Sequence, residues 1–209
     1  MIKPSCFGYN LDTAKDNFFQ KIEDNLSSDQ IQSSALDEFS TMSSILKENG
    51  INVIVMENEK EKKLSDDIFP NNWISFHENQ YVIHSMFAKS RRLEKNNKFI
   101  KKLNDIGFKY SLLKDYSEFE NKGLFLEGTG SVILDRINKL AYCSISKRSN
   151  EKLFNIFCKD IGYKPIIFSS FDSNGGVIYH TNVMMSIGDD LEMISGWFGD
   201  DVSKFLNVW

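Results

Sequence analysis

A chain of 209 residues with 41% hydrophobic side chains is long enough to bury one substantial core, or two small ones, without disulfide staples. Lys and Arg number 25 against 29 Asp and Glu, for a net charge of −4, and the two signs are interspersed along the chain, so neither a nucleic-acid partner nor an anionic-membrane partner is expected. No apolar run approaches the roughly 18 residues that cross a bilayer, and Met1 to Asn10 has neither a basic start nor a hydrophobic core, which makes the expected location cytoplasmic.

In chain order, the first periodic segment carries Ile31, Ala35, Phe39, Met42 and Leu46 on one helical face and closes at Gly50, ahead of the apolar run INVIVM. A polar cluster, Asp66 to Trp73, then leads into a hairpin, WISFH and YVIHSM, about Glu78-Asn79-Gln80. Arg91-Arg92 reads as a solvated helix start, and the helix that follows places Leu93, Ile100 and Leu103 on its core face, closing at Gly107 before FKYSLL. The pattern recurs: a cluster from Phe125 to Ser131, a hairpin of SVILD and LAYCSI about Arg136-Ile137-Asn138, a helix with Leu153, Phe154, Phe157, Cys158 and Ile161, then Gly162 and YKPIIF. A third cluster, Tyr179 to Met185, precedes VMMSI and LEMIS about Gly188-Asp189-Asp190, and Gly196 to Trp209 looks like the start of a fourth unit.

The closing glycines at 50, 107 and 162 are 57 and 55 residues apart, a spacing that predicts tandem units of helix, strand and hairpin packed on one another. The expected organisation is one partial domain over residues 1–209, of α/β class, with repeat junctions near 50, 107 and 162.

Each cluster holds a polar residue that packing does not require. Asn71 lies 21 residues after its glycine, Glu127 lies 20 and His180 lies 18, so units arranged about a common axis would bring an amide, a carboxylate and an imidazole to one place. Each also has a plainer reading: Asn71 and Asn72 as turn residues after Pro70, Glu127 as a structural ion pair, His180 as a paired core histidine. His77 and His84 have no metal-ligand spacing and are expected to be structural, so no metal is expected. Gly128-Thr129-Gly130 is too short for a nucleotide loop and is expected to open a strand. Cys6, Cys143 and Cys158 fit neither a disulfide framework nor a CxxC site, and Cys143 reads as a small hydrophobe.

The stretches FPNNWISFH, MFAKSRRLE, FLEGTGSVILDR, LAYCSIS and IYHTNVMMSIG, in this order between about Lys3 and about Asp190, resemble the citrulline-utilisation hydrolase group within the arginine deiminase, dimethylarginine dimethylaminohydrolase and amidinotransferase superfamily. The resemblance implies the pentein fold, a five-unit α/β propeller of which about three units are visible here. It implies a C–N hydrolase acting on a guanidino or ureido amino acid, with a cysteine thiolate as nucleophile and no cofactor. By the same likeness His180 is the general acid/base and Glu127 the carboxylate that holds the substrate's nitrogens. Asn71 and Asn72 fall where deiminases present an acidic pair, and Asn182 falls near a further substrate contact.

Two departures from the family pattern carry chemical content. Asparagine offers a donor and an acceptor without charge, so a neutral ureido group, as in citrulline, suits Asn71 and Asn72 as well as arginine does. None of Cys6, Cys143 and Cys158 stands where the family's nucleophile does, so the chain is expected to be truncated ahead of it. The alternative is a non-catalytic remnant or amino-acid-binding module. An open ring of three units is further expected to form a homo-oligomer.

Overall fold

The structure is a computed structural model that describes residues 1–14, 17, 20, 25–58, 64–188 and the backbone of 192–194. The chain divides into two compact units, residues 1–70 with 88–110, and residues 71–87 with 111–209.

In the first unit, strand β1 (Ile2–Lys3) runs parallel to β2 (Met56–Glu57), and helix α1 (Ser28–Glu48) lies between them in the chain. The run INVIVM therefore contributes far less strand than its composition predicts. Helix α1 begins in a capping box, with Ser27 Oγ accepting from the Gln30 backbone N–H and Gln30 Oε1 accepting from that of Ser27. Its inner face carries Ile31, Ala35, Phe39 and Leu46, partly buried, with Ser43 fully inside. Met42 is 55% exposed, because the stripe steps from 39 to 43, four residues on, and leaves position 42 turned outward.

Helices α2 (Lys89–Arg92) and α3 (Asn97–Asp105) complete this unit. Phe99 and Ile100 are buried on α3, whereas Leu93, at the end of α2, is 61% exposed. The expectation of a solvated arginine pair fails at Arg91, which is 3% exposed. Its Nε donates to Glu94 Oε1 at 2.8 Å and its Nη2 to Glu94 Oε2 at 3.0 Å. Glu94 is itself buried, and a bidentate partner three residues along the chain is what allows a guanidinium to leave water there.

The second unit is built on two three-stranded sheets. In the first, β3 (Ile74–His77) and β4 (Gln80–Ile83) form an antiparallel hairpin, and β5 (Ser111–Asp115) joins β4 in parallel. Helical turn α4 (Gly128–Ser131) leads into the second sheet, where β6 (Val132–Asp135) pairs antiparallel with β7 (Leu140–Ser144). Helix α5 (Glu151–Ile161) then carries the chain over to β8 (Lys164–Phe168), parallel to β7. Strands β9 (Met185–Ile187) and β10 (Glu192–Ile194) form a further hairpin.

Two expectations change here. The strands after Gly107 and Gly162 join the hairpin that precedes them, so the sheet-forming group is hairpin, helix, strand; a parallel partner needs a crossover, and the intervening helical segment supplies it. The Gly128 to Ser131 stretch forms a helical turn before it becomes a strand. The proposed fourth-unit start, Gly196 to Trp209, and the turn at Asp189-Asp190 lie outside the described residues.

Helix α5 fills the space over the sheets with Leu153, Phe154, Phe157 and Cys158, packed against Val82, Val132 and other core residues. Asn150 Oδ1 caps its start by accepting from the Leu153 N–H, and Gly162 closes it at φ +73. Truncating Phe154 to Ala should cost about 3–5 kcal/mol and Asn150→Ala only about 1 kcal/mol, a ranking that urea unfolding of the two variants would check.

His77, beside the core, has its pKa lowered to about 4, first by burial and second by the nearby Arg136 cation. An unfolded histidine titrates near 6.5, so between about 4 and 6.5 the unfolded chain holds the extra proton, and stability falls as pH drops through that window. His77→Gln should flatten the pH dependence of the unfolding midpoint there; an unchanged slope would show that His77 takes no part in it.

Candidate functional site

The site is assembled within the second unit from segments that each end or begin an element. Pro70, with its fixed φ, starts the 3-10 turn Pro70–Asn72, which leaves Asn72 buried and Asn71 half-buried just ahead of β3. Asn71 Nδ2 donates to Asn72 Oδ1 at 3.3 Å.

Glu127 is the residue that starts α4. Its carbonyl accepts from the N–H groups of Gly130 and Ser131 at 3.1 and 2.9 Å, and its own N–H donates to Arg148 O. The carboxylate is 0% exposed. An isolated charge in that position would be prohibitively costly, and three partners offset the burial: Oε1 accepts from Phe87 N–H at 3.0 Å, Oε2 lies 2.7 Å from His180 Nε2, and Arg148 Nη1 is 3.6 Å from Oε2. Because a carboxylate accepts, the 2.7 Å contact assigns the Nε2 proton to His180.

His180 precedes the 3-10 turn Thr181–Val183. That turn is pinned by Thr181 Oγ1, which donates to Ser131 O and accepts from Ser144 N–H. Ser131 Oγ in turn donates to Arg148 O and accepts from Ser149 Oγ at 2.8 Å. The imidazole is thus held from two sides, through its ring by Glu127 and through its backbone by Thr181.

Two glycines of the cluster are required by close approach. A methyl group on Gly128, whose φ is +41, would overlap the Asn71 carbonyl oxygen. One on Gly130 would overlap Asn72 Oδ1 and stand 3.0 Å from His180 Cε1 and Nδ1. The Gly130 backbone therefore packs directly against Asn72 Oδ1 and the Nδ1–Cε1 edge of His180, an approach that only the missing side chain permits.

Of the residues singled out in the sequence, Glu127 and His180 are in direct contact, Asn72 borders the imidazole, and Asn71 reaches the group through Asn72. Asn182 is exposed, and among the described residues no hydrogen bond ties it to the others. Sequence reasoning missed Arg148, 2% exposed and with its guanidinium carbon 4.8 Å over the Tyr179 ring. The available signal was a basic pair, Lys147-Arg148, shortly after the apolar strand LAYCS. It missed as well the Ser131 and Thr181 hydroxyls, which give no pattern along the chain.

Neither buried cysteine of this unit is poised as a nucleophile. Burial pushes both Cys143 and Cys158 up to about 12, so that only about one in 10⁵ is thiolate at neutral pH. Among the described residues no three His, Cys, Asp or Glu side chains gather as a metal site would require.

Gly130→Ala should destabilise the unit by about 1–3 kcal/mol through overpacking. Adding Asn72→Ala, which removes the obstructing Oδ1, should recover a large part of that loss, and additive unfolding energies in the double variant would contradict the close approach.

The model of the eukaryotic N,N dimethylarginine dimethylhydrolase family matches residues 3–196. No curated protein matches the chain. Among solved structures, dimethylarginine dimethylaminohydrolase, as an adduct with 4-chloro-2-hydroxymethylpyridine, aligns with a TM-score of 0.59 at 14% identity, over 84% of this chain and 65% of its own. The N-terminal domain of ArgZ, a cyanobacterial arginine dihydrolase solved as a cysteine-to-serine variant bound to substrate, gives 0.62 at 15% identity, over 88% and 61%. A cysteine-to-serine variant of the Pseudomonas aeruginosa dimethylarginine dimethylaminohydrolase, complexed with citrulline, gives 0.56 at 11%, over 89% and 64%. The chain thus spans less than two thirds of each of these proteins, and 22% of intact ArgZ. These likenesses establish the fold, that of the pentein α/β propellers.

Proposed function

The chain belongs to the N,N dimethylarginine dimethylhydrolase family, within the guanidino-modifying pentein superfamily, and on that premise we propose that its site serves hydrolysis of a C–N bond in a guanidino or ureido amino acid. The observation that carries the reading is the buried pair of Glu127 and His180 at 2.7 Å. In this reading Glu127 orients the imidazole through Nε2 and supplies the negative charge that a cationic carbon centre calls for. His180, with Nε2 taken up by Glu127, works through Nδ1, protonating the leaving amine and then activating water. Asn71 and Asn72 contact the substrate's planar end, and Asn182, on the solvent side of the turn after His180, meets its outer part.

The covalent route needs a thiolate at the central carbon. Cys143 and Cys158 are core thiols, and Cys6 belongs to the other compact unit. We therefore propose that none of the three is the nucleophile, and that this chain, taken by itself, binds its amino acid without turning it over. The protonated state of both buried thiols is what favours this second reading of the same site.

Calorimetric titration of the 209-residue protein with citrulline and arginine, run beside an assay for ammonia and amine release, tests both readings. Binding that is lost in His180→Ala, with no release, is expected. Release abolished in His180→Ala would place a nucleophile within the chain and overturn the binding-only reading. Absence of both binding and release from the folded protein would remove the assigned site.

Asn72→Asp should shift preference from citrulline toward arginine by about tenfold or more, since a fixed negative charge favours the guanidinium. An unaltered ratio of dissociation constants would show that the asparagines do not select for a neutral group.

A further inference from the structure

A cavity of about 340 Å³ opens in the second unit where the turns of the β3–β4 and β6–β7 hairpins meet the end of α5. It shares no lining residue with the group around Glu127 and His180. Its volume is at the lower end of the range for small-molecule sites.

Arg136 and Lys139, both on the β6–β7 turn, contribute two cations to the cavity's lining, and Glu78, on the β3–β4 turn, contributes an anion. Among the described residues none of these three forms an ion pair with a protein group. Arg136 donates only to the Phe76 carbonyl at 3.4 Å, and the Lys139 ammonium lies 5.1 Å above the Tyr163 ring. Glu78 makes no side-chain hydrogen bond, and its backbone stands at φ +53. The other acidic residue of the lining, Asp160, already accepts from the Tyr116 hydroxyl at 2.7 Å. Leu113 and Ile161 add apolar surface to the lining. His77, held neutral beside Arg136, adds no charge.

Two neighbouring cations without a carboxylate partner repel each other, and an anion placed between them relieves that repulsion. The Glu78 carboxylate in the same lining calls for a cation at the same time. A ligand that carries both charges close together, with an aliphatic chain for the apolar part of the lining, satisfies all three features together. We propose that this cavity is a second ligand site for the zwitterionic head of a free α-amino acid with an aliphatic side chain. The carboxylate meets Arg136 and Lys139, the ammonium meets Glu78, and the side chain lies on Leu113 and Ile161. The assignment rests on the cavity's own groups and is independent of the activity proposed for Glu127 and His180.

The test is a calorimetric titration of the whole 209-residue protein with L-norvaline, compared with valerate, which lacks the ammonium, and n-butylamine, which lacks the carboxylate. Norvaline should bind saturably, and each single-charge analogue at least about tenfold more weakly. Because Arg136, Lys139 and Glu78 are exposed turn residues, their replacement should leave the thermal unfolding midpoint in place. Arg136→Gln combined with Lys139→Gln, and separately Glu78→Gln, should each weaken norvaline by at least about tenfold. His180→Ala should leave that affinity unchanged. Valerate binding as tightly as norvaline would overturn the amino-acid assignment. So would norvaline binding that survives the cavity variants but is lost in His180→Ala, and so would the absence of any binding.

Discussion

A carboxylate with no access to water stays ionised only while the protein replaces the hydration it has lost, and Glu127 meets that condition with groups brought from three distant stretches of chain. Phe87 N–H comes from the segment after β4, Arg148 from the segment after β7, and His180 from the approach to β9. Removing any one leaves a buried acceptor short of a partner, which costs more than the contact itself contributes. The position of the charge thus constrains where each sheet may end. The short helical turn α4 follows from the same constraint, since the Glu127 carbonyl anchors the turn that its side chain looks out from.

Around this charge the second unit uses small polar residues where a hydrophobic core would use aliphatic ones. Ser131, Ser149 and Thr181 link the backbone of three segments, and Ser144 and Ser170 hydroxyls meet at 2.6 Å. Such groups are tolerated in the interior because each is hydrogen-bonded. Their short side chains let backbones approach closely enough to make room for Gly128 and Gly130 against Asn71 and Asn72. Rigidity at His180 is therefore a product of hydroxyl bonding on its backbone side as much as of the hydrogen bond on its ring, and support from both directions fixes the orientation of the imidazole.

How much of this was readable along the chain depended on whether the determining contact was local. Helix α5 was legible along its core face and at its Gly162 end because both are set within the helix and the residue that follows it. Helix α1 was legible in outline, yet Met42 and Ser43 exchanged places, since both fit the stripe and the choice rests on what packs against it. Strand partners were not legible. The run after Gly162 has the same composition whether it joins the hairpin before it or the one after it, and only the crossover over β7 decides. Arg91 illustrates the opposite error. An arginine pair at a helix start suggests solvent by composition, whereas Glu94 one turn on, with Asp66 and the Phe69 carbonyl from a distant segment, allows Arg91 to be buried. Of the residues placed at similar distances after their glycines, Glu127 and His180 are in direct contact in the structure, and Asn72 rather than Asn71 borders the imidazole. Arg148 stands 41 residues after Gly107, as Arg91 does after Gly50, yet its burial beside Glu127 became visible only in three dimensions.

The cysteines show why packing and chemistry have to be separated when a family pattern is carried over. Cys143 sits on β7, and the Thr181 hydroxyl, one residue along the chain from His180, acts on its thiol; by position alone it invites a catalytic role. Its surroundings argue otherwise. The same absence of water that lets Leu153 and Phe154 pack around it penalises the thiolate, and the hydroxyls of Ser149 and Thr181, which act in the opposite direction, do not outweigh that burial. A nucleophilic cysteine needs the reverse arrangement, with a cation or helix start near the sulfur and an open path to the substrate carbon. Glu127 solves the desolvation of its charge with hydrogen-bonding partners, whereas Cys143 solves it by remaining neutral. One buried group is thereby accommodated by polar partners, and the other is kept inert as part of the core.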